Sequence, residues 1–130
     1  MKKLLFLTTA FLFSVSAISQ VVNIPDANFK SILLANAAIN TNSDDEIQVS
    51  EAEVFSGETK LSSDGGLAIS DLSGIEQFTN LNSLIIEYQV IPNIDLSNNL
   101  KLEKLSLRST GSTNLDISKN VLLKSLNLDE

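Results

Sequence analysis

The sequence predicts a parallel-strand solenoid of 21-residue turns behind a short helical cap, an α/β solenoid-like class, and three observations predict it. Leu81, Leu84 and Ile86 return as Leu102, Leu105 and Leu107, and again as Leu123, Leu126 and Leu128. Between them Ile94-Asp95-Leu96-Ser97-Asn98-Asn99 returns as Leu115-Asp116-Ile117-Ser118-Lys119-Asn120, with Asp, Ser and the final Asn in the same columns. The third observation is a change of pattern upstream, where the aliphatic spacing becomes helical. A fixed period in the twenties built on LxxLxL marks stacked turns, since one turn cannot bury its apolar face alone.

Each LxL is a short strand that sends two side chains to one face. Stacking at about 4.8 Å pairs the strands in parallel and makes continuous aliphatic columns. Ile94 with Leu96, and Leu115 with Ile117, supply the return wall of the same core. The residues between the buried aliphatics face outward on what would be the concave side. They form the columns Ser83/Lys104/Ser125, Ile85/Ser106/Asn127 and Glu87/Arg108/Asp129. The last alternates in sign, so Arg108 rests between Glu87 and Asp129. If this face instead takes a ligand, Ile85, Glu87, Lys104 and Arg108 are the residues that would hold it.

Ile69-Ser70-Asp71-Leu72-Ser73-Gly74-Ile75-Glu76-Gln77-Phe78-Thr79-Asn80-Leu81 resembles the IxDLxxLxxLTNLxxLxL opening of bacterial internalin-type leucine-rich repeats. The later LDLSxN turns resemble those of secreted bacterial leucine-rich-repeat proteins, many of which carry a sorting domain for type IX secretion. The resemblance runs over residues 67–130 and implies a non-catalytic module that binds protein or glycan. One column departs from the motif. Gln89 and Thr110 stand where the family places an Asn after the strand, so an amide ladder is not expected on that edge. Asn99 and Asn120 are the expected satisfiers of buried backbone groups at the opposite corner.

Residues 20–66 read as a helix, a polar loop and a helix, the N-terminal cap of the stack. Phe29, Ile32, Leu33 and Ala37 make one apolar stripe of a helix starting near Pro25-Asp26, interrupted by Asn36. Ser50 and Glu53 have capping-box spacing for a second helix ending at Gly57. The loop from Asn40 to Glu51 has the twelve-residue spacing of a calcium-binding EF-hand loop. Asn40, Asn42, Asp44, Gln48 and Glu51 would offer side-chain oxygens, and Glu46 its carbonyl. Against that, Asn40 stands for the usual Asp and Asp45 for the usual turn Gly. The loop is therefore either a weak calcium site or a plain connector. Calcium is the one cofactor the sequence suggests.

Residues 1–19 have the form of a secretory signal: Lys2 and Lys3, an apolar run from Leu4 to Val15, then Ala17 and Ser19 before Gln20. The run is too short to span a bilayer comfortably, and no other approaches that length. The absence of cysteine removes both disulfides and a lipoprotein anchor. The expected location is thus secreted or cell-surface, without membrane insertion once the signal is removed. Loss of that segment takes two lysines, leaving 7 basic against 16 acidic residues and a net charge of −9. Such a surface repels phosphate backbones, which disfavours nucleic acid. With no His and no Cys the chain lacks the usual neutral-pH base, a thiol nucleophile and zinc's nitrogen or sulfur ligands. Ser62-Ser63-Asp64-Gly65-Gly66 reads as a flexible junction, not a nucleophile turn.

Two functional expectations follow: a binding module, or a purely structural opening of a longer surface protein. The third strand, Leu126-Asn127-Leu128, is not followed by a return wall, so the stack reads as incomplete. An uncovered strand edge of this kind predicts either a fragment or self-association through the open end.

Overall fold

The computed structural model describes residues 19–63, 66–112 and 114–129. All but the last residue of the expected signal segment therefore lies outside the described residues. Among the described residues six strands and two helices follow in chain order: α1 (Ala27–Ala35), α2 (Val49–Val54), β1 (Glu58–Ser62), β2 (Ser83–Glu87), β3 (Asn93–Asp95), β4 (Lys104–Arg108), β5 (Asn114–Asp116) and β6 (Ser125–Asp129). A 3-10 turn, Ile75–Gln77, precedes β2.

The strands make a four-stranded parallel sheet in the order β1-β2-β4-β6, with a second parallel pair, β3 with β5, on the return side. Ser83, Lys104 and Ser125 are in register, as are Leu84, Leu105 and Leu126, and Ile86, Leu107 and Leu128. The 21-residue phase is therefore the register of the sheet. A fourth strand, β1, lies in the region read from sequence as cap. It pairs Thr59 with Leu84 and Leu61 with Ile86, after a step of 25 residues instead of 21. The longer step and the threonine in a leucine column hide it from a search for LxL.

The cap helices differ in detail from their sequence reading. Asp26 is the N-cap of α1, accepting from the backbone N–H groups of Asn28 and Phe29 at 3.0 Å each. Phe29 and Leu33 are buried as expected, but the helix stops at Ala35, so Ala37 is an exposed turn residue. Asn36 does the stopping: its side-chain oxygen accepts from the N–H of Ala38 at 3.0 Å, a local bond that competes with helix continuation. The second capping box is Gln48 with Glu51, not Ser50 with Glu53. The chain is held extended up to Gln48 by an antiparallel bridge to Val21, so the helix starts two residues earlier than the Ser50 reading allows.

One hydrophobic cluster runs through cap and turns, from Val22, Phe29 and Leu33 to Leu102, Leu105 and Leu107. Phe55 meets Phe78 edge to face at 6.3 Å between ring centres, locking α2 onto the first turn. Asn80 donates to the Glu53 carbonyl at 2.6 Å beside it. Asp26 adds a polar tie on the other side, its second oxygen accepting from the Ser70 N–H at 2.9 Å.

The polar columns that fix the phase are backbone satisfiers. Asn99 donates to the carbonyls of Ile75 at 2.8 Å and Phe78 at 3.0 Å, and Asn120 to those of Leu96 and Asn99, both at 3.0 Å. Each asparagine thus ties its turn to the one before. Asp71, Asp95 and Asp116 accept from the N–H of Ser73, Ser97 and Ser118 at 2.8, 2.9 and 2.8 Å, closing the same turn three times. On the opposite edge the sequence expectation needs correction. Gln89 is buried and does bridge turns, accepting from the Ile69 N–H at 2.8 Å and donating to the Leu67 carbonyl at 3.1 Å. Its extra methylene extends its reach across the longer first turn.

Candidate functional site

The open face of the sheet is the first candidate. With β1 included, its columns become Glu58/Ser83/Lys104/Ser125, Lys60/Ile85/Ser106/Asn127 and Ser62/Glu87/Arg108/Asp129. The four residues singled out from sequence, Ile85, Glu87, Lys104 and Arg108, all lie here, and the strand register brings them together. Their charges are largely answered within the face. Lys60 bridges Glu87 at 2.9 Å, Lys104 reaches Glu58 at 3.4 Å, and Arg108 stands 3.9 Å from Glu87 and 3.7 Å from Asp129. Arg108 does sit between Glu87 and Asp129, but loosely, because Glu87 has its closer partner in β1. Glu58 also accepts from the Ser83 hydroxyl at 2.8 Å. That bond is the main cause of its lowered pKa, with Lys104 and Lys60 adding to it.

Tyr88 was not evident from sequence. It follows β2 directly, is 51% exposed and has a left-handed backbone with φ of 56°. Ser109, one turn later, has φ of 49°. The repeat therefore imposes this bend on whatever residue follows the strand, and a ring there is unusual for φ above zero. The Tyr88 hydroxyl is the leading cause of a raised Arg108 pKa, ahead of Glu87 and Asp129. Tyr88 and Arg108 thus lie together at the C-terminal ends of the strands, the Tyr88 N–H donating to the Arg108 carbonyl at 2.9 Å, while half-buried Ile85 lies at mid-strand opposite Lys60 and Ser106. An aromatic two residues after an LxL is the signal that could have found it.

The cap loop is the second candidate. Glu51 is buried, and its carboxylate accepts from the Thr41 N–H and hydroxyl at 2.8 Å each, the Asn42 N–H at 3.2 Å and the Gln48 N–H at 3.1 Å. Burial by itself raises its pKa, yet the Gln48 N–H, the Thr41 hydroxyl and the other N–H groups outweigh that and the net shift is downward. Asp44 accepts from the Asn42 and Gln48 amides at 2.9 Å each and from the Glu46 N–H at 2.9 Å. The Asn40 amide nitrogen donates to the carbonyls of Leu34 and Asp44 at 3.3 and 2.9 Å, and Glu46 is paired with Lys30 at 2.7 Å. The loop's spacing is that of a calcium loop, but Glu51 is filled by donors where a shell would need it bidentate on the ion. To take up calcium, these side chains would have to exchange the hydrogen bonds that close the loop for bonds to the ion.

The geometry defines a class: a parallel β-solenoid of leucine-rich repeats under a helical cap. Solved structures share it. The chain is similar to the functional domain of InlJ from Listeria monocytogenes, described as including a cysteine ladder, with 32% identity over 85% of this chain and 24% of that one, at a TM-score of 0.71. Two further internalins of the same organism share the fold. InlF matches at 22% identity, 87% of this chain, 33% of that one and a TM-score of 0.69. Internalin C2 matches at 19% identity, 87% and 50%, also with a TM-score of 0.69. The chain spans a quarter to a half of the length of these proteins. No protein-family model matches it, and neither does any curated protein. The InlJ domain has a cysteine ladder; this chain has no cysteine, and its inner ladder is of asparagine. Among the described residues no helix is long and apolar enough to cross a membrane.

Proposed function

We propose that this chain is a non-catalytic recognition module, exported by way of its first 19 residues to be secreted or displayed at the cell surface, and that its open sheet face binds an extracellular protein. The observation that carries the reading is the strand end itself: Tyr88 half exposed on a left-handed bend, its backbone N–H donating to the Arg108 carbonyl at 2.9 Å, next to the Glu87/Arg108/Asp129 column of the open face. Tyrosine and arginine are enriched among residues that dominate protein interfaces, since each joins apolar area to a polar tip. The internally paired charges around the cluster suit such a role. They form a polar rim that costs little to bring against a partner and fixes its register. Absence of His and Cys, and the likeness to internalins, support a binding role over a catalytic one. A glycan is the second ligand class, and type IX export is the route suggested by the LDLSxN turns.

The chain has one tyrosine and no tryptophan, so Tyr88 is also the reporter. The immobilised chain, screened against arrays of extracellular matrix proteins and glycans, should retain a ligand that changes Tyr88 fluorescence. Tyr88→Ala and Arg108→Glu should each weaken retention by roughly tenfold or more, as truncation of an interface anchor does. Retention unaffected by both changes would remove this face from consideration. A second reading is favoured by the short span relative to the internalins: the chain is the structural opening of a longer surface protein. In that case this chain retains nothing in the screen.

A further inference from the structure

The three residues that follow β2 are held at both ends. The Tyr88 N–H donates to the Arg108 carbonyl at 2.9 Å and the Ile91 N–H to the Thr110 carbonyl at 3.1 Å, while the buried Gln89 side chain ties the middle to Leu67 and Ile69. With Gln89 turned inward, Tyr88 and Val90 stand outward on either side of it, Tyr88 half exposed and Val90 73% exposed, both outside the hydrophobic core. The next turn builds the same rim from exposed Ser109, buried Thr110 and exposed Gly111. It repeats the backbone bond as well, from the Ser109 N–H to the Asp129 carbonyl at 2.8 Å. The repeat therefore asks for no apolar residue at either outward position, and folding does not account for Tyr88 and Val90. Strand β2 is paired on both sides, by β1 and β4, so their exposure is not that of a sheet edge. Apolar side chains exposed together on a fixed frame meet a partner with little ordering cost.

The charge beside this rim is Arg108, at the end of β4. Of the other two cations of the open face, Lys60 lies 2.9 Å from Glu87 and Lys104 3.4 Å from Glu58, both within hydrogen-bond distance. Arg108, with 43% of its side chain exposed, is 3.9 Å from Glu87 and 3.7 Å from Asp129, beyond that distance. A carboxylate brought to Lys60 or Lys104 would have to displace the one already there. Brought to Arg108, it meets guanidinium donors that neither neighbouring carboxylate takes up. Glu87 is already answered by Lys60, and Asp129 is more than half exposed, where water and salt screen its repulsion. Granted a protein-binding role for the open face, we propose that this rim recognises an extended segment of an extracellular protein in which an acidic residue lies close in sequence to a bulky apolar one. The carboxylate pairs with Arg108, and the apolar side chain packs on Tyr88 and Val90.

The test is selection of short randomised peptides, displayed on phage, by the full chain. Tyr88→Ser combined with Val90→Gly serves as the counter-selection, since it gives this rim the residues that the next turn already accepts. Peptides enriched by the parent should carry Asp or Glu close to Leu, Ile, Val or Phe, and the combined variant should bind them at least about tenfold more weakly, as loss of interface anchors does. Arg108→Gln should cost a similar factor. So should replacing the acid of the peptide by its amide, a change that leaves the fold of the chain untouched, and the two changes together should cost no more than either alone. Enrichment of basic or uncharged peptides, or no enrichment over the combined variant, overturns the proposal. So does a parent chain indifferent to the replaced acid. The open-face reading is judged separately: if a matrix protein is retained through Tyr88 and Arg108 but Val90→Ser leaves retention unchanged, that reading stands and the rim does not.

Discussion

Gly74 shows how one residue can fix where the cap meets the repeats. Its φ is 103°, and a Cβ there would lie 2.7 Å from Ile24 Cγ1 and 3.0 Å from the Asn23 carbonyl. The residue opens the 3-10 turn before β2, so the chain must bend and let the N-terminal segment pass close by at the same point. A side chain meets both objections. Left-handed backbone costs an L-residue about 1 to 2 kcal/mol, and overpacking against a fixed backbone adds about 1 to 3 kcal/mol. Gly74→Ala is expected to lower the unfolding free energy by an amount of that order, measured by urea denaturation. Gly66→Ala, also left-handed but with nothing within 4 Å of its Cβ, should show only the smaller backbone penalty. Equal losses at the two positions would mean that the contact with Ile24 and Asn23 carries no weight.

At the scale of the element, the cap loop is held by an acid acting as an internal anion. The carboxylates of Glu51 and Asp26 have pKa values below their ordinary 4.5 and 3.8. For both, burial pulls upward and is the largest single influence. For Asp26 the N–H groups of Ser70, Phe29, Asp71 and Asn28 together outweigh it, as the Gln48 and Thr41 donors do for Glu51. A group whose folded pKa is depressed contributes stability that is whole above its unfolded pKa and is lost as pH falls through the folded one. The cap should therefore loosen as pH drops below about 4. Glu51→Gln should destabilise by roughly 1.5 to 3 kcal/mol, the worth of hydrogen bonds to a charged group, and flatten the acid limb. Millimolar calcium should leave melting of the parent and of the variant unchanged. A rise in Tm with calcium, abolished by Glu51→Gln, would restore the loop as a metal site.

At the scale of the whole molecule, a stack with neighbour-only contacts should have stability graded along its length. The interior strands β2 and β4 are each paired on both sides and have their leucines fully or almost fully buried, whereas β6 has one neighbour. Hydrogen exchange should then be slowest in β2 and β4 and fastest in β6 at low protein concentration. Uniform protection from β1 to β6 in dilute solution would contradict a graded stack.

The sequence by itself determined the turn length, the register of β2, β4 and β6, the return wall and the columns of the open face. A period-locked pattern specifies parallel neighbours directly, because each aliphatic must lie over its counterpart one turn away. It also carried the asparagine ladder and the apolar face of α1, both of which rest on contacts to the same or an adjacent turn. Only the tertiary structure decided where the stack begins. Strand β1 departs from the period by four residues and from the leucine column by Thr59, so it is visible only through its pairing with β2. The same holds for the reach of Gln89 and the filling of Glu51, each of which depends on groups from another segment of the chain. Periodicity reports contacts that repeat. Contacts made once, where cap meets first turn, leave no repeated mark in the sequence.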